Sequence, residues 1–371
     1  MNPIRLPIDP KRLRRLLNRL LDIYSPSGKE EEVVEYVYRY LKRRGLPVIR
    51  QEVDERRQNL VVPFRGREAE LGLVGHLDTV TAYDLEDFGA REEGDRIVGL
   101  GASDMKGSCA AMIETVTCLW EQGFRDMPLL LALVVGEEEE GDGAEELVKE
   151  FSFPWAVIGE PTDLRPCLSH YGYLEVQLST RGDRLHASLA RQGRNAVQGM
   201  LRVLSGITAY LEGHRPEAVY NIRDLYTPGG GFVVPDACEA WLDVHLPPSA
   251  PVGDIRMEME DLVTAEKGRD PTLDAVIRFP SIHGGYSLPE KGPLIAALKA
   301  VFQDRGLPWA PVPFPSHSDA NQLWRAGVKP IILGCGLLEE AHRPGESVSF
   351  EKVREAAEIY CRLAADVLSG V

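Results

Sequence analysis

LGLVGHLDTV, residues 71–80, is an apolar run that ends on a histidine and, two residues later, an aspartate. Five apolar or glycine residues in succession suit a strand buried on both faces, as in a parallel sheet covered by helices. Three other runs read the same way: LLLALVV (129–135), WAVIG (155–159) and PIILG (330–334). Each leads into polar residues at its carboxyl end. His76 and Asp78 follow the first, Glu137 and Glu138 the second, Glu160 the third, and His342 the fourth after a short loop. In open α/β sheets ligands bind outside the carboxyl ends of the strands, so these residues are expected at one edge. Asp104 joins them from a glycine-rich loop, GLGASDMKG, that opens a helix at Ser108.

Outward from these strands, helical and extended patterns alternate. SCAAMIETVTCLWEQG (108–123) and AEELVKEF (144–151) read as helices between the strands. The amino-terminal stretch reads as an amphipathic helix from residue 1 to about Tyr24, broken by Ser25-Pro26-Ser27-Gly28. A second helix over residues 29–45 starts with acids and ends in basic residues and Gly45, as the helix dipole and cap favour. The expectation is an α/β protein, a mostly parallel sheet with helices on both faces. Between residues 169 and 282 the texture changes. YLEVQLST (173–180) and ACEAWLDVHLPP (237–248) alternate like half-buried strands, and each precedes a long helical pattern. This segment is expected to be a smaller α+β domain inserted into a larger one formed by residues 1–168 and 283–371.

The chain has 371 residues, 44% of them hydrophobic and 27% charged, enough for a sizeable core. Its net charge of −15 argues against nucleic acid or an anionic membrane as a main partner. No apolar run reaches the roughly 18 residues of a membrane span, and charges interrupt the amino-terminal pattern too often for a secretory signal. Six scattered cysteines without a CxxC pair read as buried free thiols in a reducing cytosol, so a cytoplasmic enzyme is expected.

Two histidines and three carboxylates at one sheet edge suit a pair of borderline divalent ions, zinc first and cobalt or manganese as alternatives. Such a pair would lower the pKa of a water held between the ions, and a free carboxylate nearby would take its proton. Asp78, two residues beyond His76, is placed to hold the imidazole. Singly, each residue has a plainer reading: a structural histidine, a solvated acidic loop over 137–140, a turn at Glu160-Pro161. Their convergence on one edge favours the metal reading.

GHLDTV, the GxxDMKG loop, the Glu-Glu pair before GDGA, GEPT and AHRPGE resemble the successive motifs of the M20 metallopeptidases and deacylases. That group includes acetylornithine deacetylase, succinyl-diaminopimelate desuccinylase, aminoacylase-type enzymes and glutamate carboxypeptidases. The resemblance runs from the turn at Ser25 to His342. It implies a zinc-exopeptidase-like catalytic domain carrying an inserted lid and dimerisation domain, hence a homodimer. It further implies that His76 and Glu160 bind one metal, Glu138 and His342 the other, and that Asp104 bridges them. Glu137 is then the general base and Asp78 orients His76. A cis peptide between Asp104 and Met105 is also implied. RGDRLHASLARQGRNAV resembles the lid stretch whose histidine reaches toward the substrate carbonyl, which marks His186.

Two places depart from the family pattern. Where many members use an asparagine and an arginine for a substrate carboxylate, this chain has Phe232 and His245. Arg181, Arg184, Arg191 and Arg194 crowd around His186 as an alternative anion site or a solvated face, and His317 in PSHSDAN has no assigned role. The expected activity is hydrolysis of the amide of a small N-acyl amino acid. A carboxypeptidase or dipeptidase on the same scaffold is the alternative. A non-catalytic binding protein is the remote one, since no ligand or base is missing.

Overall fold

A computed structural model of the chain describes residues 8–229 and 231–368. The amino-terminal helix begins later than its pattern suggests: α1 is Pro10–Leu21, and residues 1–7, which the expectation included, lie outside the described residues. Asp9 caps it by accepting from the backbone N–H groups of Lys11 and Arg12. Leu13, Leu16, Leu17, Leu20 and Leu21 form its buried stripe. α2 is Glu31–Lys42. Then come β1 (Ile49–Glu52), β2 (Gln58–Pro63), β3 (Leu71–His76), β4 (Arg91–Glu93), β5 (Arg96–Val98) and α3 (Gly107–Glu121). They are followed by β6 (Leu129–Val134), α4 (Asp142–Glu150), β7 (Trp155–Ile158) and β8 (Cys167–His170).

The described residues form two compact units, the first comprising 8–168, 288–314 and 318–368. The second comprises Ser169–Ser287 and Pro315–His317. The second unit holds β9 (Gly172–Arg181), α5 (Ala196–His214), β10 (Val219–Tyr226), β11 (Ala237–Leu246), α6 (Val252–Arg269), β12 (Asp274–Arg278), β13 (Ile282–His283) and β14 (Tyr286–Ser287). β10, β12 and β13 were not legible as strands. Its sheet runs β10-β11-β9-β12, with β13 also on β9. Leu174, Val176 and Leu178 of β9 and Leu242 and Val244 of β11 pack with α5 and α6 on one face. The opposite face carries the alternate, polar residues of the same strands.

The chain continues with α7 (Pro293–Asp304), β15 (Val312–Phe314), α8 (Ala320–Arg325), β16 (Lys329–Ile332), β17 (Ser347–Ser349) and α9 (Phe350–Leu368). In the main sheet the order is β1-β2-β6-β3-β7-β16-β8. The four apolar runs are its central strands β6, β3, β7 and β16, and these pair in parallel. The expected α/β class with a parallel core is what the structure has, and the sheet is mixed because antiparallel strands flank that core. β1, β2 and β8 extend it by antiparallel pairing. Among the described residues no helix is long and apolar enough to cross a membrane. All six cysteines are buried.

Candidate metal centre

Parallel pairing of β3 with β6 and β7 places Val134 beside His76 and Ile158 beside Val74, so the residues that follow each strand emerge together. The His76 side chain is buried. Its Nε2 lies 3.2 Å from Asp104 Oδ1 and 3.9 Å from both Glu137 Oε2 and Glu160 Oε1. Its Nδ1 lies 3.0 Å from the Asp78 carbonyl oxygen and 3.6 Å from the Asp78 carboxylate. Asp78 therefore fixes the ring partly through its backbone. The Asp78 carboxylate also accepts from Ser27 Oγ at 2.7 Å and from the Glu138 N–H at 3.0 Å. It ties the Ser25–Gly28 turn to the Glu137–Glu138 loop.

Asp104 sits in an irregular turn over Ala102–Lys106, and the peptide bond between Asp104 and Met105 is cis, as the resemblance implies. Glu346, quoted within the AHRPGE motif but given no role there, holds this turn. Its carboxylate accepts from the N–H groups of Gly101, Ser103 and Asp104 at 2.9, 2.8 and 2.9 Å. Lys106 anchors it from the other side, donating to the carbonyls of Leu20 and Ile23 at the end of α1. His342 Nε2 lies 3.0 Å from Glu138 Oε2 and 3.6 Å from Asp104 Oδ2.

Two groups of side chains thus bring their donor atoms within 4.8 Å of one another: His76, Asp104 and Glu160, and Asp104, Glu138 and His342. Asp104 belongs to both. The electrostatics are those of a site built for positive charge. Burial, and then the charge of Glu160, pushes the Glu137 carboxyl well above the usual carboxylate range. Burial, and then Asp104, does the same to Glu160, whose buried Oε1 has no hydrogen-bond partner. Burial opposes protonation of His76, but its bonds to Asp104 and Asp78 outweigh that and raise its pKa well above the ordinary value. The bond to Glu138 raises His342 to about 9. Buried carboxylates at this density need compensating cations, and two imidazoles with three carboxylates, one of them shared, fit two divalent ions.

Asp319 was not legible as part of this site. It is buried at the start of α8, burial raises it to about 8, and its charge in turn bears on Glu137 and Glu160. It stands in PSHSDAN, two residues after His317. His186 belongs to the second unit, is exposed, and has its Nδ1 2.8 Å from Ser188 Oγ. Of the arginines around it, Arg194 is bound to Asp183 and Arg184 to Asp236. Phe232 is 86% exposed.

A family model described as peptidase family M20/M25/M40 matches residues 72–366. The chain belongs to this family. It is 27% identical over 358 residues to an M20 domain-containing protein of Schizosaccharomyces pombe, covering 93% of this chain and 82% of that protein. It is 24% identical over 340 residues to the acetylornithine deacetylase of Edwardsiella ictaluri, covering 86% of each. In structure it resembles a tripeptidase of Staphylococcus aureus with a TM-score of 0.82 at 19% identity, covering 97% of this chain and 99% of that one. This M20 protein is thus a hydrolase of the deacylase and peptidase type.

Proposed function

We propose that this M20 hydrolase removes the acyl group from a small N-acyl amino acid at a two-metal centre. The observation that carries the reading is the pair of donor groups sharing Asp104. His76 and Glu160 would hold one ion, Glu138 and His342 the other, and Asp104 both; zinc suits this mixture of nitrogen and oxygen donors. When bound, the metal pair supplies Lewis acidity, polarising the amide carbonyl and lowering the pKa of the attacking water.

Glu137 has the role of base. It lies within 3.9 Å of His76 but belongs to neither donor group, so its carboxylate is free to take a proton from the water. Passing that proton to the departing amine nitrogen completes the cleavage and returns the carboxylate. Asp78 keeps the His76 ring fixed, and Ser27 keeps Asp78 fixed. His186, brought by the inserted lid domain, would donate to the carbonyl oxygen as negative charge builds there. By the family resemblance the protein works as a homodimer, and its six scattered cysteines without a CxxC pair fit a reducing cytoplasm.

The deacylase reading is tested by assaying zinc-loaded protein against N-acetyl and N-succinyl amino acids beside plain dipeptides. Turnover of the acyl amino acids at higher kcat/KM supports it. Preference for dipeptides would replace it with a dipeptidase on the same centre.

A further inference from the structure

Six of the eight histidines of the chain fall in the second unit's two segments, and three of them, His245, His283 and His317, meet on the polar face of its sheet. β9 pairs with β11 so that Tyr173 faces His245, and with β13 so that Tyr173 also faces His283. Directly paired residues of antiparallel strands point to the same face, so His245, Tyr173 and His283 form one row across three strands. His317 lies against this row, its ring centroid 4.8 Å from that of His283 and 4.9 Å from that of Tyr173. The Tyr173 and His245 centroids are 5.4 Å apart. Three imidazoles thus surround one tyrosine. His170 stacks on Tyr286 and has its Nδ1 2.7 Å from the Tyr171 carbonyl, and it stays outside the trio.

We propose that His245, His283 and His317 form a separate site for a borderline divalent transition ion such as Ni2+, Cu2+ or Zn2+. Two ring nitrogens point to an absent ligand: His245 Nδ1 and His317 Nε2 are buried and have no hydrogen-bond partner. A buried polar atom left that way costs about 1–3 kcal/mol, which coordination would recover. The chemistry favours a metal over an anion. An anion would need charged imidazoles, and burial together with the neighbouring histidines disfavours the charged form, whereas a metal takes the neutral ring. The nearby charges are already engaged: Asp243 accepts from Tyr173 Oη at 2.8 Å, and Arg223 bridges Asp243 and Glu175. An all-imidazole set suits nickel, copper or zinc and disfavours magnesium, calcium and manganese. Among the described residues the ligand atoms of the three histidines do not gather within 4.8 Å of one another as those of the first unit do, so closing the site requires the side chains to move.

The test must be independent of the two-metal centre. Asp104→Ala removes the ligand shared by both ions there, and the Asp104→Ala protein equilibrated with Ni2+ is analysed for metal by mass spectrometry. His317→Phe and His245→Phe are then added separately, phenylalanine preserving ring volume, with circular dichroism verifying the fold. The expected result is one fewer nickel per chain in each double variant than in Asp104→Ala alone. Loss in neither variant, or in only one, overturns the three-histidine site, whatever the deacylase assay has given.

Discussion

Glu137 and Glu138 are neighbours in sequence and differ in what they touch. Glu138 meets His342 at 3.0 Å, while Glu137 lies 3.9 Å from His76. A base must keep its carboxylate unligated, so the two should respond differently to loss of charge. Glu137→Gln is expected to retain two metals per chain and to lose at least about a thousandfold in kcat, since proton transfer fails while the metals stay. Glu138→Gln should instead lose metal, measured on the same samples by mass spectrometry. The reverse pattern would shift the assignment by one residue. The acids and histidines themselves were legible because strand ends announce them; Asp319 and Glu346 were not. Their value lies in contacts made across long sequence distance, Glu346 reaching back to a turn more than 240 positions earlier.

Elements carry these residues through contacts that tolerate little change. The backbone of Gly101, Ser103 and Asp104 offers three N–H groups to a single carboxylate, that of Glu346. Glu346→Ala would leave all three without their acceptor, at roughly 1–3 kcal/mol each if none is rescued by water. It is expected to lower the melting temperature by several degrees and to weaken metal binding, with Glu346→Gln in between because one acceptor oxygen remains. Equal melting temperatures for the three proteins would remove Glu346 from this role. α4 is placed with equal strictness. A Cβ at Gly143 would stand 2.2 Å from the carbonyl oxygen and 2.8 Å from the nitrogen of Val135, both backbone atoms. Gly143→Ala must therefore push α4 off the end of β6, the strand that delivers Glu137 and Glu138, and is expected to cost about 2 kcal/mol or more in chemical denaturation. An unchanged denaturation midpoint would show that the helix moves freely. The central strands were legible because burial on both faces leaves an unbroken apolar run. β10 was not: nearly all of its residues are exposed at a sheet edge, so neither period 2 nor an apolar run marks it.

At the scale of the whole molecule, the metal-ligand candidates all belong to the first unit and His186 to the second. The texture of the sequence changes near residue 169, where the second unit begins. The short return of Pro315–His317 to the second unit was not legible, since three residues carry no periodicity. A histidine on a different unit serves the two-metal centre only if it acts within its own chain or is lent to the partner of a dimer; the M20 resemblance implies the second. A preorganised donor to a developing oxyanion is worth roughly 3–4 kcal/mol in the transition state, so His186→Ala should lose about a hundredfold or more in kcat with metal content unchanged. Its exposed side chain makes that loss hard to attribute to folding. Mixing His186→Ala with Glu137→Gln then separates the two arrangements. In a mixed dimer that shares His186 across subunits, the His186→Ala chain keeps its own Glu137 and receives its partner's histidine, so one site is whole. Activity is expected to return as subunits exchange, approaching a quarter of the wild-type rate per chain in an equimolar mixture at random assortment, because half the dimers are mixed and each has one competent site of two. Verified mixed dimers without recovered activity would place His186 at the centre of its own chain, or exclude it from the chemistry.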